Sequence, residues 1–203
     1  MATTKIEIAS QALGLLRANP ISSFDDGSNE ADIVTLYYDT FIRDIFSRYP
    51  WHFATKTRRL VIAGDEVPLL NYKHAFIIPA ECKRLIGVFA QEGAHVRPFR
   101  DYTQEGSYLL SNSDQLYAKY TAYVDENLWP GYFTAYAIHA LAALIAVPLT
   151  DDQDIEAREQ VLAYGTSSEG ERGGKFQSAI LTDAQQSPPD EMDTDLLIAA
   201  RFG

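Results

Sequence analysis

Apolar residues in the first quarter of the chain recur at helical spacing. Between Thr4 and Arg17 they occupy every third or fourth position, as on one face of a helix, and Asn19-Pro20 ends that segment. A second stripe of this kind runs from Val34 to Tyr49, with Ser28 in front of it as a capping residue. We predict two helices that pack antiparallel, with Trp51 sealing the end of their core.

The spacing of apolar residues changes from helical to alternating between Leu60 and Val124. Gln115 to Val124 alternates most regularly, so the even-numbered side chains from Leu116 to Ala122 share one face of a strand. Two further pairs of apolar runs flank turn sequences as the strands of a hairpin do: residues 60–62 with 67–69, and residues 84–89 with 96–99. This part of the chain predicts a small antiparallel sheet.

Two more helices are predicted after the sheet. Tyr132 to Leu149 is almost entirely apolar and just reaches the length of a membrane-spanning helix. It is rich in alanine, contains Pro148 and has acidic residues but no Lys or Arg at its flanks, so we interpret it as a buried helix of a soluble assembly. The sequence Thr150-Asp151-Asp152 then opens a fourth helix, because acidic residues favour a helix start.

The order of these elements is helix, helix, sheet, helix, helix and tail. It predicts an α+β fold, an antiparallel four-helix bundle with an inserted small antiparallel β domain and an extended C-terminal arm. The predicted boundaries are bundle helices 1 and 2 at 1–55, the inserted β domain at 56–128, bundle helices 3 and 4 at 129–168, and the acidic arm at 169–203.

Charge is unevenly distributed along the chain. The 203 residues include 17 Lys and Arg against 28 Asp and Glu, a formal net charge of −11, which disfavours strong unaided binding to nucleic acid or anionic lipid. The last quarter is the most acidic part and has the composition of an extended arm. The arm nevertheless ends in an apolar group, which predicts a docking tip. The residues that we assign to this arm tip are Thr194, Leu196, Leu197, Ile198, Arg201 and Phe202.

Residues that could carry chemistry are scattered. The four histidines fall in different predicted elements without helical ligand spacing, so neither a metal site nor a cofactor is expected. Cys82 is the single cysteine, which excludes an internal disulfide. A thiol hydrolase with His74 or His95 as the base is one hypothesis for this residue, and a small filler at the start of a strand is the simpler one. We therefore expect a protein without enzymatic activity.

Basic residues form three short groups around the predicted sheet, at positions 56–59, 83–84 and 97–100. If the sheet brings them together, they make a patch suited to nucleic acid or to the acidic residues of a protein neighbour. Twelve tyrosines and two tryptophans are also typical of protein interfaces. The candidate residues for an interface or basic patch are Trp51, Arg58, Arg59, Arg97, Arg100 and Trp129.

Several short motifs resemble the head-to-tail adaptor proteins of short-tailed bacteriophages, the family called tail tubular protein A. The motifs from the start of the family are Ile8-Ala9-Ser10-Gln11-Ala12-Leu13, Pro20-Ile21-Ser22-Ser23, Asp26-Gly27-Ser28-Asn29-Glu30-Ala31, Tyr38-Asp39 and Pro50-Trp51-His52-Phe53-Ala54. Further matches are Ile78-Pro79-Ala80-Glu81-Cys82-Lys83-Arg84, Leu116-Tyr117-Ala118-Lys119-Tyr120, Trp129-Pro130 and Ala140-Leu141-Ala142. The resemblance covers nearly the whole chain, although each motif is short. The chain is also similar to adaptors of long-tailed phages, so the tail type stays open.

The resemblance implies a structural protein of the virion neck, assembled in the host cytoplasm. Such proteins form a ring, commonly of twelve copies, between the portal protein and the tail nozzle or tail tube. Double-stranded DNA passes non-specifically through the channel, and no membrane is involved. In the family the C-terminal arm grips the portal, which here corresponds to residues 194–203. The alternative that the basic residues leave open is a DNA-binding accessory protein for packaging or head completion.

Overall fold

The computed structural model describes residues 3–64, 71–91 and 97–186. Within these ranges five helices and seven strands form. The helices are α1 (Lys5–Leu15), α2 (Asn29–Arg48), α3 (Gly131–Thr150), α4 (Gln153–Tyr164) and α5 (Gly174–Ala184). The strands are β1 (Thr55–Arg59), β2 (Val61–Ile62), β3 (His74–Ile77), β4 (Cys82–Phe89), β5 (Tyr102–Glu105), β6 (Tyr108–Ser111) and β7 (Tyr117–Ala122).

Helix α3 is the centre of the helical part of the molecule. It packs against each of the other four helices, and nine of its side chains are buried. Helix α2 runs antiparallel to α3, because Phe46 near its C-terminal end stacks on Trp129 and Phe133 at the start of α3. By length and composition α3 is apolar enough to cross a membrane. Half of this stretch is buried inside the structure, where its side chains pack in the helical core.

The strands form two antiparallel sheets. One has three strands in the order β1-β7-β4, and the other has four in the order β2-β3-β6-β5. The even-numbered side chains of β7 that the alternation places on one face are all buried. They join residues of both sheets in a second core, separate from the helical one, whose buried members are Leu60, Phe76, Val88, Leu109, Leu116, Ala118, Tyr120 and Ala122.

The predicted fold class, a four-helix bundle with a small β insert, is wrong. The described residues form five helices and two substantial sheets. Strands β2, β4 and β7 were visible in the sequence pattern, whereas β1, β3 and β5 were not. The pairing is also long-range: β7 lies between β1 and β4, and β2 pairs with β3. Alternation identifies a strand and one face of it, whereas the choice of partner depends on which strands share a core.

The fifth helix lies in the segment predicted to be part of an extended arm. Glycines in the loop between α4 and α5 let the backbone of the two helices approach closely. Gly174 has φ +56°, and a Cβ there would lie 2.5 Å from the carbonyl oxygen of Leu162. Only glycine tolerates both conditions. Phe176 and Ala179 then bury α5 against the helical core.

Candidate functional site

The two tryptophans proposed for an interface belong to the helical core. Trp51 is fully buried and donates its indole N–H to the carbonyl oxygen of Ile45 at 2.8 Å. Trp129 donates in the same way to Val124 at 2.7 Å. Both rings pack edge-on against Phe133 with centroids 4.9 Å apart. The prediction that Trp51 seals the core is confirmed. Neither indole is a surface group of this chain, because both rings are buried and both indole N–H groups have hydrogen-bond acceptors inside the protein.

The three-stranded sheet brings the basic groups of the sequence together. Strand β1 carries the group at 56–59 and strand β4 the group at 83–84. The third group, 97–100, lies beside β4, since the backbone N–H of Phe99 donates to the carbonyl oxygen of Val88 at 2.7 Å. Arg97 and Arg100 are both exposed. One sheet therefore supports all three groups.

Part of this charge is neutralised within the molecule. Lys56 Nζ donates to Glu81 Oε2 at 2.7 Å, and Arg58 lies 3.2 Å from Glu81 Oε1. The hydroxyl of Tyr120 donates to the same carboxylate at 2.7 Å. The hydrogen bond from Lys56, with help from Tyr120, lowers the pKa of Glu81, while burial and the nearby carboxylate raise the pKa of Tyr120 to about 12. This cluster faces the second core and fastens β1 to the start of β4.

Arg84 also has a structural role. One nitrogen of its guanidinium donates to the carbonyl oxygens of Ser47 and Arg48, at 2.8 and 3.0 Å. These carbonyls belong to the last turn of α2, where they lack partners within the helix and where a positive charge is favourable. Arg84 therefore joins the three-stranded sheet to the helical core.

The outer face of the three-stranded sheet presents basic residues to solvent. Thr57 pairs with Lys119 and Arg59 pairs with Tyr117, so these side chains share the face opposite to the second core. Thr57, Arg59 and Lys119 are exposed, and Gly87 opposite Lys119 adds no side chain that would cover it. Among the described residues Arg59 and Lys119 have no ion-pair partner. We call the surface formed by Thr57, Arg59 and Lys119 the basic face.

Three acidic side chains are buried, and each accepts hydrogen bonds inside the protein. Asp183 on α5 is fully buried and accepts from the backbone N–H of His52 at 3.0 Å and from the hydroxyl of Tyr132 at 2.7 Å. His52 Nδ1 lies 2.7 Å from the same carboxylate. The carboxylate thus ties α5 to α3 and to the turn that leads into β1.

The other two buried acids are Glu126 and Glu159. Glu126 accepts from the hydroxyls of Tyr38 and Tyr123, at 2.9 and 2.8 Å, and burial raises the pKa of both tyrosines. Glu159 lies 2.7 Å from His139 Nδ1 and accepts from Arg158 at 2.9 Å. A buried carboxylate is retained where such partners compensate its desolvation. These groups stabilise the fold.

Sequence reasoning missed all three buried acids. Asp183 falls within residues 169–203, which were assigned to the acidic arm. A signal was present for Asp183, since it falls on the same helical face as Phe176 and Ala179, at offsets of seven and four residues. An acidic residue on an apolar face predicts a buried acceptor with donors on a neighbouring element, although the sequence does not name those donors.

The surroundings of Cys82 do not favour a nucleophile. The thiol is half-buried, and this burial raises its pKa, so less of it is ionised at neutral pH. It borders a cleft of about 440 Å³ between β4 and the β5–β6 turn, together with Lys83 and Gly106. His74 lies on β3 and is 3.6 Å from Asp114, and His95 lies outside the described residues.

No group of three or more His, Cys, Asp or Glu side chains within ranges 3–64, 71–91 and 97–186 is arranged to hold a metal ion. The arm tip, Thr194 to Phe202, lies outside these ranges. No protein-family model matches the chain, and no curated protein matches it either.

Proposed function

We propose that this protein is a structural component of a tailed-phage virion, a head-to-tail adaptor. In this proposal copies of the chain close a ring between the portal and the tail nozzle or tube, and the genome passes through the central channel. The arm tip, residues 194–203, docks on the portal. The protein's contribution is geometric, since it joins two larger assemblies without forming or breaking covalent bonds.

The observation that carries this proposal is where the family-like motifs lie in the fold. Ser28 of the motif at 26–31 caps α2, and Asp26 closes the preceding turn by accepting from Ser22 and Ser28. Ser10 of the first motif donates to the carbonyl oxygen of Ile21 in the second, at 3.2 Å. Tyr38 anchors buried Glu126. These motifs from the first quarter of the chain therefore lie on residues that build α1, α2 and their connection, which is the expected pattern when two sequences share an architecture.

The surface of the chain is also suited to assembly. Large apolar side chains are exposed in several separate places, on α2 (Leu36, 72%), on the edge strand β2 (Val61, 68%) and on α5 (Leu181, 55%). A head-to-tail ring needs two different surfaces on each copy, one for each neighbour. Exposed apolar side chains on both the helices and the sheets meet that requirement.

The test is electron microscopy and sedimentation of the purified protein, alone and mixed with portal rings of the phage that encodes it. We expect rings of defined symmetry seated on the portal. Deleting residues 194–203 should abolish portal binding while the circular dichroism spectrum and thermal midpoint stay unchanged.

The matched control replaces residues 194–203 with a glycine-serine segment of equal length, which separates loss of the docking side chains from loss of length. It should fail to bind as the deletion does. Full portal binding by both variants would refute the docking role of the arm tip. Absence of any association between the intact chain and the portal would refute the adaptor function itself.

A further inference from the structure

Basic charge is concentrated on the three-stranded sheet. Strands β1, β4 and β7 contain six basic residues and no acidic one. The remainder of the chain then carries eleven basic residues against all 28 acidic ones. A strongly acidic protein thus keeps one positively charged element. Lys56, Arg58 and Arg84 on that element are engaged inside the molecule, as described above, which leaves the basic face open to a partner.

Exposed acidic residues gather around the start of α2 and the start of α4. Because α2 and α3 are antiparallel, the start of α2 and the end of α3 lie at the same end of the helical core, and α4 begins there too. We give the name acidic end to five exposed acidic side chains of these segments and of the turn before α2: Asp25, Asp32, Asp151, Asp154 and Glu156. None of the five has an ion-pair partner within the part of the chain that the structure describes.

The two charged regions lie on different elements of the fold. The three-stranded sheet packs against α2 through β4 and β7, whereas Asp154 and Glu156 lie on α4, which packs against α3 and α5. Among the described residues no ion pair joins the basic face to these acidic side chains. Each region is therefore available to a second molecule.

We propose that the basic face of one copy binds the acidic end of the next copy. The contact is heterologous, with different surfaces meeting, which is the type that closes into a ring. This inference rests on the proposed adaptor function and specifies the neighbour-to-neighbour contact within the ring. Copies placed head to tail bring opposite charges together, whereas other arrangements bring like charges together, so charge also selects the orientation.

Duplex DNA is the other polyanion that fits a basic face, and a second copy of the chain is the better partner. The net charge of −11 repels DNA as a whole, and the basic face offers only two free cations, Arg59 and Lys119. A second copy supplies a matching set of acidic groups on a compact end of the same fold. It is also present in every assembly at the required stoichiometry.

The experiment uses two charge-reversal variants of the full chain, studied at low salt by analytical ultracentrifugation and by ring assembly on portals. One variant is Arg59→Glu with Lys119→Glu, which reverses the basic face. The other is Asp154→Lys with Glu156→Lys, which reverses part of the acidic end. We expect each to need about tenfold or more protein than wild type to assemble, because like charges then meet at the contact.

Combining the variants distinguishes this contact from others. A chain that carries all four substitutions has opposite charges at the contact again, with the signs exchanged, and should assemble as wild type does. In a mixture of the two separate variants, every contact between unlike copies joins opposite charges, one with the native signs and one with the signs exchanged. That mixture should therefore assemble with the two variants alternating, although neither variant assembles alone.

The matched control is Arg59→Lys with Lys119→Arg, which preserves charge and should assemble normally, and circular dichroism verifies the fold of every variant. Normal assembly of the basic-face variant at low salt would overturn the proposed contact and leave the adaptor function standing. A salt-sensitive shift of duplex DNA by wild type, lost in a basic-face variant that assembles normally, would assign the face to DNA. Failure of the wild-type chain to associate with portals or with itself would refute the adaptor function instead.

Discussion

Individual polar residues hold this fold together at points where the backbone changes direction. Asp26 accepts hydrogen bonds from the backbone and hydroxyl of Ser28 and from the backbone of Ser22, and Gly27 between them has φ +77°. Ser28 in turn accepts from the backbone N–H of Ala31 at the start of α2. The turn and the helix cap thus form one hydrogen-bonded unit. Both roles follow from residue types that sequence reasoning recognises.

Replacing Ser28 by Ala should affect both α2 and Asp26. We expect the loss of the cap to lower the free energy of unfolding by about 1 kcal/mol. The hydrogen bond from Ser28 is the main reason why the pKa of Asp26 is lowered to about 2, so the variant should raise that pKa. Carbon-13 NMR titration of the Asp26 carboxyl and urea unfolding measure the two effects.

The pH dependence of this effect has a defined sign. A carboxyl whose pKa is depressed in the folded protein adds stability above the ordinary pKa, and that stability is lost as the pH falls through the folded value. The difference between wild type and Ser28→Ala should therefore shrink from about pH 4 to about pH 2. Ser28→Thr keeps a hydroxyl and is the control. An unchanged Asp26 pKa in the Ala variant would contradict the prediction.

Asp183 lies in a segment that was assigned to an extended acidic arm, but its side chain is fully buried. Replacing it by Asn should lower the free energy of unfolding by about 1–3 kcal/mol, because an amide nitrogen cannot accept from His52 or Tyr132 and donors are left unpaired. Urea unfolding at neutral pH measures this. Asp25→Asn, at an exposed acid, is the control and should change stability by less than about 0.5 kcal/mol. Equal unfolding midpoints for Asp183→Asn and wild type would contradict the role assigned to this carboxylate.

The helices of this protein were predicted from the sequence more successfully than the arrangement of its strands. Helices α1 to α4 are recognisable from capping residues and apolar spacing, which are local properties. The caps Thr4, Ser28 and Asp152 all accept from backbone N–H groups as their residue types predict. The two-sheet arrangement and the fifth helix were missed. Sheet partners are chosen by burial of faces far apart in sequence, and α5 is polar except for one narrow face.

Helix α5 provides a direct test of this correction. Phe176 stacks on Trp51, Tyr136 and Tyr164 with centroid distances between 5.2 and 6.2 Å. Phe176→Ala should lower the free energy of unfolding by about 3–5 kcal/mol, as for other buried aromatic residues. Leu181→Ala on the same helix is the matched control, because that side chain is 55% exposed, and it should cost less than about 0.5 kcal/mol. Equal, small effects in chemical denaturation would mean that α5 does not contribute to the core.

On the scale of the whole molecule, packing and charge divide between the same two parts. The helical core and the sheet core are distinct clusters, and Arg84 of β4 joins the sheet to the last turn of α2. The three-stranded sheet carries basic residues, whereas the starts of α2 and α4 carry acidic ones. Two surfaces of opposite charge on one chain are suited to head-to-tail association, which the charge-reversal experiment tests.

The amino-acid sequence alone determined four helices, the strand β7 with its buried face, the capping residues and the overall acidity. These are local or summed properties, set by backbone geometry and side-chain type within a few turns of chain. The tertiary structure alone decided which strands pair, that Trp129 is a core residue, that Asp183 is buried, and that Arg59 and Lys119 share an exposed face. Each of these depends on contacts between residues distant in sequence. Such contacts form, and stabilise the protein, only when the chain folds.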